Sequence, residues 1–137
     1  MNYWIVKSPF KHHPWSEVLF KYKFTLFGIR NFQSCNNINY MQPEDRILFY
    51  LSSNGRKLFG IMKVKSNPYK DPSTSDERWL ACDFIPVETF EPPIHLQTLK
   101  KIPELKETAF IKQPRVSVVK INKSIFDKII SLRSKLL

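Results

Sequence analysis

Apolar and polar side chains alternate strictly over residues 21–26, where Tyr22, Phe24 and Leu26 interleave with Lys21, Lys23 and Thr25. A period of two is that of a half-buried strand. Tyr3-Trp4-Ile5-Val6 is a short run of β-branched and aromatic residues and predicts a strand ended by Pro9. Residues 46–52 predict the strongest strand of the chain. The Asn54-Gly55 pair behind it fits a type I′ hairpin turn. Residues 58–64 then return as its partner, with Gly60 marking a bulge or barrel corner. Residues 78–87 predict a further strand bent at Pro86, Pro92-Pro93 a break, and residues 116–121 a last strand. Residues 66–77 read as a loop, and residues 110–115 as a polar loop or short edge.

Helical spacing is confined to short stretches. Pro14 suits the first turn of a helix over residues 15–20, with Trp15, Val18 and Leu19 facing inward. Residues 31–40 form a weaker candidate, since asparagine favours caps and turns. Residues 96–102 predict a third helix, with Leu96, Leu99 and Ile102 inside. The amphipathic run over residues 124–136 is the fourth, carrying Ile125, Ile129 and Leu132 on one face, with Asn122 or Ser124 as its cap. Such a chain is α+β: a small mixed or antiparallel β-barrel of about six strands, with peripheral short helices and a C-terminal amphipathic helix. Neither a βαβα rhythm nor a Gly-rich phosphate loop occurs in the sequence.

The 137 residues make one domain, residues 1–137, with length for one core. No apolar run approaches the ~20 residues of a membrane span, and the N-terminus lacks a signal-peptide layout. The expected state is a monomer in the cytoplasm, or in the nucleus of a eukaryote, with no membrane contact. Cys35 and Cys82 are too far apart in sequence for a zinc knuckle and read as small buried residues.

Charge changes this picture. The net charge is +10, and it is uneven: residues 1–65 carry +7, residues 66–107 carry −3 and residues 108–137 carry +6. If the two ends pack together, their basic groups form one surface suited to a polyanion, most simply nucleic acid. The alternative is a lysine-rich surface that serves solubility.

The chemically informative stretch begins after Gly28. Residues 30–37 hold one Arg, three Asn and one Gln, multivalent hydrogen-bonding groups that are costly to bury unpaired. They are expected to line a polar pocket, with the apolar run after Asp45 as its wall. Candidate stacking walls are Trp15, Phe27, Tyr50 and Trp79, each of which also suits a core. Ser8 stands at a strand end. Asn31 has the donor and acceptor needed to read a base edge, whereas Asn36 is assigned to bracing and capping. Arg30 either clamps phosphate or pairs with Asp83. Lys7, Lys11, Lys112 and Arg115 form the expected phosphate rim. The adjacent His12 and His13 chelate one metal poorly, so neither a metal nor another cofactor is expected. Neither they nor Cys35 form a nucleophile–base–orienter pattern.

These motifs together resemble the EVE domain, a PUA-like family related to the YTH readers of methylated RNA. The resemblance is carried by Tyr3-Trp4-Ile5-Val6-Lys7-Ser8, Trp15-Ser16-Glu17-Val18, Gly28-Ile29-Arg30-Asn31-Phe32-Gln33 with Asn36, and Met41. It continues through Asp45, Phe49-Tyr50, Ser52, Gly60-Ile61, Pro68-Tyr69 with Asp71, Trp79 with Asp83, and Gln113 with Arg115-Val116-Ser117-Val118. It implies a five- or six-stranded barrel with a pocket for a base or similar ring. It also implies a non-catalytic reader of modified DNA or RNA. By motif position Lys7-Ser8, Arg30, Asn31, Phe49-Tyr50-Leu51-Ser52 and Arg115 surround the pocket. The family's usual Trp-Asp-Gly is Leu26-Phe27-Gly28 here, so Phe27 is the substitute wall. The competing expectation is a small-molecule sensor that uses the same pocket without nucleic acid.

Overall fold

A computed structural model describes residues 1–8, 14–52 and 55–136. Among the described residues, seven strands build one bent sheet: β1 (Tyr3–Lys7), β2 (Phe24–Leu26), β3 (Arg46–Leu51), β4 (Lys57–Val64), β5 (Tyr69–Lys70), β6 (Leu80–His95) and β7 (Val118–Ile121). The order is β2-β6-β4-β3-β1-β7, with β5 paired to β6. Only β1 and β3 run parallel, in register from Tyr3↔Arg46 to Lys7↔Tyr50; the other pairs are antiparallel. Five helices, α1 (Trp15–Lys21), α2 (Phe32–Asn39), α3 (Leu96–Leu99), α4 (Ala109–Lys112) and α5 (Lys123–Leu136), flank it, with a 3₁₀ turn over Pro103–Glu107. This is the expected α+β class, as a half-barrel left open between β2 and β7. Among the described residues, no helix is long and apolar enough to cross a membrane.

The run over residues 47–51 is buried at every position because layers cover both faces of the sheet. Ile47, Phe49 and Leu51 join Trp4, Val6 and Val118 in a core that includes Trp15 and Val18 of α1 and Ile38 of α2. Leu48 and Tyr50 join Ile5 and Val119 on the opposite face, under Leu99, Phe110, Ile125 and Ile129. The buried Asp45 carboxylate seals one end of the parallel pair. It accepts from the Asn2 and Gln42 N–H groups and from the Trp4 indole, at 2.9–3.0 Å.

Several sequence expectations are corrected. The strand over residues 21–26 shrinks to β2, because α1 runs on through Lys21 and Tyr22 ends it in a left-handed conformation. Leu19, expected inside, is exposed. Pro92-Pro93 does not end a strand, as β6 continues to His95. Its register against β4 jumps from Gly60↔Thr89 to Leu58↔Ile94, so the prolines occupy a stretch without ladder bonds. The segment expected as a polar loop carries helix α4. Asn122, not Ser124, caps α5 by accepting from the Ile125 N–H at 2.8 Å. The Asn54 turn lies outside the described residues.

Gly60 sits at the bulge the sequence anticipates, with register shifts on both sides of β4. A Cβ there would press into the Glu88 carbonyl and the Trp15 indole. Gly60→Ala is therefore expected to destabilise the fold by about 2 kcal/mol through overpacking. The midpoint of urea unfolding reads this; an unchanged midpoint would show that Trp15 moves aside freely.

Candidate functional site

At the carboxyl ends of β1 and β3, strand pairing stops and four segments converge. The Ser8 N–H donates to the Tyr50 carbonyl at 2.9 Å, and the Lys7 N–H donates to the Ser117 carbonyl at 2.8 Å. The Ser117 N–H donates to the Ser34 hydroxyl at 2.8 Å, which places the first turn of α2 beside the same end. Asn31 caps that helix by accepting from the Ser34 N–H at 2.9 Å. The free β7 edge is covered as well, because the Asn37 amide donates to the Val118 carbonyl at 2.7 Å.

Two clefts open at this end and meet at Pro114. The first, about 410 Å³, is walled by Tyr50, Phe110 and Ile111 and ringed by Lys7, Arg56 and Lys100, with Ser52 at its edge. Tyr50 and Phe110 meet edge to face, their centroids 5.1 Å apart. The Lys7 ammonium donates to the Phe110 carbonyl at 3.1 Å and lies 5.0 Å from that ring's centre. Burial holds the Lys7 pKa below its usual range and raises that of Tyr50, an effect the Arg56 charge opposes. Among the described residues, no carboxylate pairs with Lys7, Arg56 or Lys100. The second cleft, also about 410 Å³, is lined by Asn31, Gln33, Gln113, Arg115 and Val116. One side of this end thus offers an aromatic wall with unpaired cations. The other offers amides and a guanidinium.

The remaining predicted site residues lie elsewhere. Trp15 is a core residue: its indole donates to the Thr89 hydroxyl at 2.8 Å and its ring packs 5.5 Å from Phe49. Phe27 lines a separate cleft beside Val18 and Phe24, between α1 and β2. Trp79 packs 5.3 Å from the exposed Phe32, in a fourth cleft that also takes in Asn36. Asn36 is exposed there and caps nothing, contrary to its expected role. Lys112 pairs with Glu107 at 2.7 Å, and Lys11 lies outside the described residues. Arg56, Lys100 and Phe110 were missed by sequence reasoning. Arg56 follows a turn glycine and Lys100 ends a short helix, places where a cation ordinarily signals nothing.

Arg30 pairs with Asp71 and not with Asp83. Its guanidinium donates to Asp71 at 3.1 Å and lies 5.4 Å from the Trp79 ring centre. Asp83 pairs instead with Lys23 at 3.5 Å and also accepts from Tyr69 and Thr25. Asp71 is buried and clasps the segment after β5 onto the Gly28 turn. It accepts from the Gly28 N–H at 2.7 Å and from the Ser73 N–H and hydroxyl at 2.7 and 2.6 Å. Gly28 adopts a φ of +77°, open to glycine without strain. Burial alone would raise the Asp71 pKa. The bonds from Ser73, Gly28 and Arg30 outweigh it and hold the carboxyl at about 2.

The EVE domain family profile matches residues 2–132. Thymocyte nuclear protein 1 of Mus musculus is 30% identical; the match covers 77% of this chain and 57% of the mouse protein, so the chain spans little more than half of that relative. The crystal structure of human THYN1 in complex with 5-methylcytosine-containing DNA superposes with a TM-score of 0.86 at 22% identity, over 97% of this chain and 98% of that one. The YTH domain of Zygosaccharomyces rouxii MRB1, in complex with N6-methyladenosine RNA, superposes with a TM-score of 0.57 at 17% identity, over 96% and 86%.

The clasp makes a pH prediction. A folded pKa of about 2, below the ordinary carboxylate value of 3.8, gives stability that is present above pH 4 and lost as pH falls toward 2. The wild type is expected to lose about 2 kcal/mol more than Asp71→Asn across that window. Parallel pH profiles of denaturant unfolding for the two proteins measure the difference.

Proposed function

The chain belongs to the EVE domain family, and on that premise we propose that it is a non-catalytic module that binds nucleic acid and reads a modified base in DNA or RNA. The observation that carries this reading is the pair of clefts meeting at Pro114. A base-reading site needs an apolar surface, directional hydrogen bonds and a basic rim. Tyr50 and Phe110, nearly buried and set edge to face, offer an apolar floor for the base rather than an open stacking face. Asn31 and Gln33 offer donors and acceptors for a base edge. Lys7 and Arg115 offer phosphate contacts. The complexes of human THYN1 with 5-methylcytosine DNA and of the Zygosaccharomyces rouxii YTH domain with N6-methyladenosine RNA support the ligand class. A modified base in a duplex leaves the stack to enter such a site. The name of the mouse relative supports a nuclear setting.

The test is fluorescence anisotropy on short oligonucleotides carrying 5-methylcytosine or N6-methyladenosine, beside their unmodified forms and free nucleosides. The expected outcome is a preference for a modified oligonucleotide over both. Affinity should fall with salt at a log–log slope no shallower than about −1.4, the value for the two single-strand phosphate contacts of Lys7 and Arg115. Equal binding of oligonucleotide and nucleoside, without salt dependence, would make the protein a small-molecule sensor instead.

Asn31 has two jobs in this reading, and variants separate them. Asn31→Ala removes the cap of α2 and is expected to cost about 1 kcal/mol of stability as well as affinity. Asn31→Ser keeps a capping oxygen but loses the amide, so affinity should fall while the melting temperature holds. If Asn31→Ser binds like wild type, Asn31 is purely architectural.

A further inference from the structure

The Lys7 cleft does not end at Arg56 and Lys100. An adjoining cleft of about 290 Å³ shares Arg56, Leu96 and Lys100 with it and continues past Gly55, His95 and Gln97. Among the described residues, no acidic side chain lines either one. The result is a continuous groove leaving the Tyr50 wall, with Arg56 and Lys100 at its midpoint. Both side chains are exposed, and neither forms an ion pair among the described residues.

Arg56 is also held in a costly backbone conformation. Its φ is +57°, which ordinary L residues rarely adopt. The Leu96 N–H donates to its carbonyl at 2.9 Å, tying this turn to the start of α3, the helix that carries Lys100 at its end. Glycine would adopt that φ without strain. An arginine there is instead aimed over the groove, where its charge acts on Tyr50.

We propose that Arg56 and Lys100 form a phosphodiester track that carries the single strand onward from the base-reading cleft. This deepens the proposed function and rests on it. Lys7 marks where the track leaves the cleft, and His95 and Gln97 mark its far end. Among the described residues the outer half carries one ring, His95, beside the two cations, so the track reads chiefly charge and spacing.

The experiment uses the double variant Arg56→Gly/Lys100→Gln and oligothymidylates of nine and two residues. Glycine suits the φ at position 56, so the fold should survive, as an unchanged thermal melt would verify. Lys65→Gln/Lys70→Gln is the control. It removes the same charge at the opposite ends of β4 and β6, where Val64 pairs with Phe84 and Lys70 with Leu80. The expected result is about tenfold weaker binding of the nine-mer at low salt and a salt slope shallower by about 1.4, single strands losing about 0.7 per contact. The two-mer should bind as to wild type, and the control should keep the wild-type slope. An unchanged slope for the double variant, or an equal loss on both oligomers, overturns the track. The preference for a modified base is measured separately, so the reader survives if only the track fails. A wild type that ignores the nine-mer removes the track outright.

Discussion

A parallel strand pair cannot be closed by a hairpin. Placing β1 beside β3 obliges the chain to travel back along the sheet between them. That crossover contains α1, β2 and α2, and it is where the polar stretch from Arg30 to Asn37 lies. The pairing therefore decides where those side chains arrive. Helix α2 starts beside the carboxyl ends of β1 and β3, the end at which crossover folds leave a crevice for ligands. The other end of the pair is shut by Asp45, whose carboxylate occupies the backbone and indole donors gathered there. Sealing one end and opening the other is a single topological consequence.

Covering both faces of that pair explains what the sequence showed well and what it hid. The strands over residues 3–7 and 46–51 were legible because central strands leave an unbroken apolar run, as did the bulge at Gly60 and the C-terminal helix. Residues 21–26 misled because their alternation is shared by two elements. Lys21 closes a helix, and the period of two survives only over Phe24, Thr25 and Leu26. The double proline misled for a different reason. Proline is forbidden only where the ladder needs its N–H, and a register jump removes that need. Pairing partners are non-local, so no local pattern shows which positions lack them.

The candidate site was legible in its residue types and illegible in its groupings. Lys7, Tyr50, Ser52, Asn31 and Arg115 do line the two adjoining clefts. Trp15 looked like a stacking wall because an indole suits either role; its partner Thr89 lies 74 residues away and could not be foreseen. Arg30 is the sharper case. A guanidinium that shares a buried carboxylate with a backbone N–H and a serine is part of the scaffold. Drawing it away to a phosphate would leave Asp71 short of a compensating charge in a buried place. At the Gly28 turn Arg30 therefore has a structural task, whereas Lys7, Arg56 and Lys100 have no carboxylate beside them among the described residues.

The same reasoning bears on charge. The two basic ends of the chain do meet, since β1 pairs with β7. Yet many of their lysines are answered locally: Lys21 by Glu17, Lys112 by Glu107, Lys123 by Asp127 and Lys128 by Glu104. Surface pairs of this kind contribute little to stability, but they mute the field that the segment totals promise. Lys100, by contrast, comes from the segment whose sum is −3, and it stands in a groove lined by no acid. What a polyanion meets is set by which cations the fold leaves unanswered along one continuous groove, and a chain-order sum of charge has no access to that.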